Sequence, residues 1–181
     1  MSLLHSFYCW GHVAGVTIST LYFQMAGTER WFLLPLLWAL VPFCNTFLFW
    51  KVPLRNLVEK QEQTPVRTLF SSGMFWILFV LILSAGASEQ AMSQWSSLFA
   101  ETGLGVSKTL GDLLGPGAFA ALMGVSRAFY GWKGSGLDLR RALVISSVCC
   151  AASYLLAVFS PLPLVSLIGC ALVGLFVGIM W

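Results

Sequence analysis

Glu89, Gln90, Ser93 and Gln94 are the residues whose types and spacing carry chemistry in this chain. They belong to a polar run from Ser88 to Ser97, which also holds Ser96, inside a strongly apolar stretch. A central Asp in a membrane helix costs roughly 2.5 to 3.5 kcal/mol, and intramembrane carboxylates face a protein or water-filled interior. A carboxylate and two amides at that depth therefore need a reason. A glutamine amide both donates and accepts hydrogen bonds, which suits a hydroxyl-rich solute, and a carboxylate can bind the solute or cycle a proton. At 100° per residue, Glu89, Gln90, Ser93, Gln94, Ser96 and Ser97 share an arc of about 160°. Ala91, Met92, Trp95, Leu98 and Phe99 fill the opposite side. A competing reading is interhelical hydrogen bonding, worth about 0.6 kcal/mol for each polar side chain. It applies foremost to Ser93, Ser96 and Ser97, and the substrate reading to Glu89, Gln90 and Gln94. Ser93, between the two amides, is kept in the substrate set.

Asp112 follows Lys108 by four residues, the spacing of a helical ion pair, although in the less favourable sign order. A structural pair and a gate to the substrate path are both open readings. Gly115-Pro116-Gly117 removes a backbone donor and side-chain bulk together, so a kink and a hinge are expected there. Gly111 and Gly115 form a GxxxG pair, as do Gly11 and Gly15, and such pairs mark close helix packing. His12 lies between the latter two and His5 is seven residues earlier. A proton relay competes there with a buried, hydrogen-bonded imidazole. Asn45, near Pro42, is expected to mark a bend. Arg127, with Arg140 and Arg141, reads first as a topology anchor and second as a gating latch.

No catalytic constellation accompanies these residues: there is no zincin His pair, no Gly-x-Ser-x-Gly elbow and no phosphate loop. The chain is read as not an enzyme, with no cofactor and no metal. Cys9, Cys44, Cys149, Cys150 and Cys170 all fall in apolar segments without ligand spacing and read as small buried hydrophobes. No basic stripe with interleaved aromatics argues for nucleic acid. The N-terminus has no basic leader or small-residue cleavage site, so the first apolar segment is expected to stay as a span.

The elements that must position these residues are membrane helices. The 181 residues are 58% hydrophobic and only 9% charged, against about 25% charged in a soluble domain. Their continuous apolar runs exclude the alternating segments of an outer-membrane barrel. Six spans are expected, at about 4–26, 31–50, 74–100, 108–130, 141–159 and 163–181. The organisation follows as 1–50 with two spans, a cytoplasmic loop 51–73, and 74–181 with four. Lys51, Arg55, Lys60, Arg67, Arg127, Lys133, Arg140 and Arg141 fall on one side, and only Arg30 and Lys108 on the other. The positive-inside rule then places both termini in the cytoplasm, in a plasma or bacterial inner membrane. Trp31, Trp50, Tyr130, Trp132 and Trp181 at span ends fit interfacial belts.

Three features together resemble the major facilitator superfamily, in its sugar-permease-like branches. The long loop 51–73 is similar to the link between the family's two six-helix halves. Gly86-Ala87-Ser88-Glu89-Gln90 with Trp95 resembles the polar middle of the seventh helix. Gly124-Val125-Ser126-Arg127-Ala128-Phe129-Tyr130-Gly131, with Arg140-Arg141 opening the next span, resembles a degenerate second copy of the cytoplasmic loop motif. The central Asp-Arg pair of that motif is missing here. The resemblance implies a partial bundle matching helices five to ten of twelve. The implied function is secondary active transport of a small polar solute such as a sugar, as a fragment or subunit of a larger transporter. Another polypeptide or segment would supply the remaining spans. The alternative is a non-transporting six-helix membrane protein, or assembly partner, derived from a split transporter gene.

Overall fold

A computed structural model describes residues 2–53, 65–133, 136 and 138–180. The loop positions 55, 59, 60 and 62 and the belt position 181 therefore lie outside the described residues. Every regular element among the described residues is helical. In chain order they are α1 (Ser2–Ala26), a 3-10 turn (Thr28–Arg30), α2 (Leu33–Lys51), α3 (Val66–Phe70) and α4 (Gly73–Thr102). Then come α5 (Lys108–Asp112), a π segment (Leu113–Gly117), α6 (Ala118–Lys133), α7 (Leu139–Phe159), α8 (Pro163–Val177) and a 3-10 turn (Gly178–Met180).

Four helical stretches are long and apolar enough to cross a membrane: Leu33–Lys51, Gly73–Thr102, Leu139–Phe159 and Pro163–Met180. Two of the six expected spans are not among them, for different reasons. The 25 residues of α1 are ample in length, but two histidines, two tyrosines and several Ser and Thr dilute its apolar character. The segment expected at 108–130 is not one helix but α5, the π segment and α6 in succession. Around Pro116 the missing amide is absorbed by a wider π turn, and the chain stays helical on both sides.

Residues 1–20 with 81–181 make one compact unit, and residues 21–80 another. In the second, Gly27 takes φ +73° and ψ 167°, a backbone conformation that favours glycine, and ends α1. The Tyr22 hydroxyl donates to the Arg30 carbonyl at 2.8 Å. α2 continues through Pro42, where Thr46 Oγ1 donates to the Pro42 carbonyl at 3.0 Å. Only Leu34 of α2 is buried. A strongly apolar helix with nearly all of its residues exposed is suited to lipid.

The first unit holds the core: Cys9, Met92, Phe119, Ala120, Met123, Cys150, Ala157, Cys170, Val173 and Val177. α8 reaches α6 and α7 at backbone distance because glycines face them. A Cβ on Gly169 would lie 2.7 Å from the Ala157 nitrogen, and one on Gly174 would overlap the Phe119 carbonyl. Ser166 Oγ donates to the Ala157 carbonyl in the same contact. Small residues at helix interfaces are the membrane solution to close packing, since lipid tails supply no hydrophobic drive between helices.

Candidate functional site

The buried stripe of α4 is Ala85, Glu89, Met92, Ser96 and Ala100, spaced four, three, four and four residues apart. This phase carries Glu89 into the core, where its side chain is 7% exposed. On α6, Phe119, Ala120, Met123 and Arg127 are buried on a common face. That phase carries the Arg127 side chain in to 4% exposure. The two meet: Arg127 Nη2 donates to Glu89 Oε2 at 3.1 Å, joining α4 to α6. Arg127 Nη1 donates to Cys9 Sγ of α1 at 3.5 Å, and the guanidinium carbon lies 5.9 Å from the centre of the Tyr8 ring. One ion pair thus ties three helices, with a soft sulfur and an aromatic face on the guanidinium's other sides. Beside it, Tyr154 of α7 donates its hydroxyl proton to the Ser88 carbonyl of α4 at 2.7 Å. The His12 ring stands edge-on to Tyr8, with centroids 6.4 Å apart.

Gln90 and Gln94 do not join Glu89. They lie on exposed turns of α4, roughly 120° to 160° around the helix from its buried stripe. There Gln94 Nε2 donates to Gln90 Oε1 at 2.9 Å. Ser93, between the two faces, donates to the Gln90 carbonyl at 3.3 Å. The 160° polar arc is therefore divided into a buried edge with the ionisable group and an exposed edge with the amides. Ser96 is buried, and its hydroxyl has no hydrogen-bond partner among the described residues.

Asp112 anchors a second cluster at the other end of α4. Lys108 Nζ donates to Asp112 Oδ1 at 2.6 Å and to Ser97 Oγ at 2.8 Å. Ser97 Oγ donates to the same carboxylate oxygen, and Thr20 Oγ1 of α1 donates to Oδ2 at 3.4 Å. The helical ion pair expected from the spacing is formed, and Asp112 also gathers hydroxyls from α1 and α4. It stands one residue before the π segment, in which Gly115, Pro116 and Gly117 are all buried. A Cβ on Gly111 or Gly115 would lie 3.2 Å or closer to Ser97 or Ser96, so this GxxxG pair packs on α4. The other pair differs: Gly11 and Gly15 have nothing within 4 Å of an added Cβ.

Sequence reasoning did not foresee the Glu89–Arg127 contact, or the parts of Tyr8, Cys9, Thr20 and Tyr154. The signal for Arg127 was its helical phase with Ala120 and Met123, seven and four residues earlier. Among the described residues no group of three His, Cys, Asp or Glu side chains is placed to hold a metal ion. Fold and site together define a protein that is all-helical among the described residues, with four membrane-length apolar helices and a buried ion pair joining one of them, α4, to the shorter α6. No family model matches the chain, and no curated protein or solved structure matches it either.

Proposed function

We propose that the chain is a six-span membrane protein similar to the middle of a major facilitator permease. In this reading it builds one wall of a path for secondary active transport of a small polar solute, such as a sugar. Another polypeptide or segment supplies the facing spans. The observation that carries the reading is the Glu89–Arg127 pair, nine-tenths buried between α4 and α6. Replacing a buried ion pair by well-packed apolar side chains is often neutral or stabilising, so such a pair is weak evidence for stability alone. Ionisable residues inside membrane segments instead mark substrate or ion pathways. The exposed Gln90–Gln94 pair supports the same reading, because amides on an open helix face have donors left over for a solute. In this arrangement Gln90, Gln94 and Ser93 contact the solute and Glu89 takes up the coupled proton. Arg127 pairs with Glu89 between cycles, and the π segment Leu113–Gly117 with Asp112 flexes. Both termini and the loop 51–73 are cytoplasmic.

The test is transport by proteoliposomes holding the chain, alone and co-expressed with the polypeptides encoded beside it. Labelled hexoses and pentoses serve as probes. Exchange above that of empty vesicles is expected, together with solute-driven proton uptake. Glu89→Gln removes the proton uptake and keeps counterflow exchange; if it misfolds, Glu89→Gln with Arg127→Gln leaves no lone buried charge and replaces it. Intact proton uptake in these variants refutes the role of Glu89. Absence of exchange in every combination refutes transport and leaves the alternative, a non-transporting assembly partner in which the buried pair is structural.

A further inference from the structure

Outside the polar clusters, the start of α7 forms an open recess of about 400 Å³ lined by Asp138, Arg140, Arg141, Val144 and Ile145. Its chemistry is divided along the helix. Asp138 Oδ1 accepts the backbone N–H groups of Arg140 and Arg141 at 3.0 and 3.3 Å, so the first turn is already capped. Asp138 Oδ2 lies 3.2 Å from Arg141 Nε. The carboxylate is thus used by the cap and by one edge of one guanidinium. Among the described residues no carboxylate pairs with Arg140, and the Arg141 side chain is 83% exposed. Attraction for an anion comes here from two arginine side chains, whose planar donor forks match phosphate.

Past the arginines the same face turns apolar. Val144, Val148 and Leu155 follow Arg141 by 3, 7 and 14 residues, close to one row of a 3.6-residue helix, and all three are exposed. They lie on one of the four helices long and apolar enough to cross a membrane. At the end of α6, which leads into α7, Trp132 is exposed and Lys133 Nζ lies 5.5 Å from the centre of its ring. Aromatic and basic residues at a span end mark the level of the lipid headgroups. One kind of ligand matches a cationic head site that continues into an apolar row: an amphiphilic anion.

We propose that this recess binds the phosphate of an anionic phospholipid, with an acyl chain along Val144, Val148 and Leu155. The site does not depend on the transport reading. It requires only that α7 meets a bilayer.

The purified full chain in detergent is titrated with dioleoyl phosphatidylglycerol or dioleoyl phosphatidylcholine, and bound lipid is read by native mass spectrometry. Phosphatidylglycerol should bind more tightly. The pair Arg140→Gln and Arg141→Gln should weaken it about 30-fold, at about 1 kcal/mol for each basic side chain near an anionic surface. Removing as much charge elsewhere, with Lys51→Gln and Arg67→Gln, should leave it unchanged. Asp138→Asn keeps a capping side chain and removes the opposing carboxylate, so it should tighten binding. Equal binding of the two lipids overturns the proposal, as does an equal loss in the Lys51/Arg67 variant or weaker binding in Asp138→Asn. Inorganic phosphate should not displace the lipid; if it does at equal concentration, the site is one for a free anion and the lipid assignment falls.

Discussion

Replacing Glu89 with glutamine should cost far more stability than losing one hydrogen bond, because it strands a charge that cannot discharge itself. Arg127 is 4% exposed at its side chain, and its charged partner is the Glu89 carboxylate at 3.1 Å. Two unit charges about 4 Å apart at an effective dielectric near 20 attract by about 4 kcal/mol. Removing one member of a buried pair costs about 3 to 5 kcal/mol. The reverse change, Arg127→Met, should be cheaper, about 2 to 3 kcal/mol. A lone carboxylate escapes by binding a proton, whereas a guanidinium cannot escape by losing one. With both replacements the core is uncharged, and stability should return to within about 1 kcal/mol of the parent chain. Reversible unfolding in mixed micelles of sodium dodecyl sulfate and a mild detergent, followed by tryptophan fluorescence, gives all four corners of the cycle. If the double replacement costs the sum of the two singles, the residues do not act as a pair and the reasoning fails.

Four further expectations use the same assay. Asp112→Ala should cost about 1 to 2 kcal/mol, since the carboxylate accepts from Lys108, Ser97 and Thr20. Lys108→Ala should cost less than about 0.5 kcal/mol, because its side chain is 60% exposed; a reversed order would show that Lys108, not Asp112, is the hub. Gly174→Ala drives a methyl into the Phe119 backbone and should cost about 3 kcal/mol, the upper end of the overpacking range. Gly15→Ala meets open space and should gain up to about 1 kcal/mol from helix propensity. A loss at Gly15 would mean that another helix covers that face.

The helices were legible because apolar runs end at turn residues. The expected limits 4–26, 31–50 and 74–100 fall close to α1 (Ser2–Ala26), α2 (Leu33–Lys51) and α4 (Gly73–Thr102). The segment 108–130 was harder, because local rules say only that Gly-Pro-Gly disturbs a helix. Whether the chain bends or widens depends on the neighbour, and here α4 lies against Gly111 and Gly115. The ion pair was harder still. Arg127 sits close in sequence to Lys133, Arg140 and Arg141, and charge counting groups it with them. Its partner is 38 residues away. Only the tertiary fold brings the two together, and a single helix pattern holds no information about which neighbour a face will meet.

The divided arc of α4 follows from the unequal cost of its members. A carboxylate in an apolar bundle needs an opposite charge, and within this unit the Arg127 guanidinium meets it. Two amides need less: Gln94 donates to Gln90, so each partly satisfies the other while remaining open. Their further N–H groups still need acceptors wherever water is scarce. The exposed half of the arc is thus the half able to exchange partners, and the buried half is the half able to hold a charge in place. A solute path along this helix would run past Gln90 and Gln94. In that reading the Glu89–Arg127 pair would act from behind, one turn of α4 away from the path. If the proposed transport holds, coupling would pass through that turn, and Ser93→Ala, which removes a solute contact and the bond to the Gln90 carbonyl, should lower the protons taken up per solute in proteoliposomes; an unchanged ratio refutes this route.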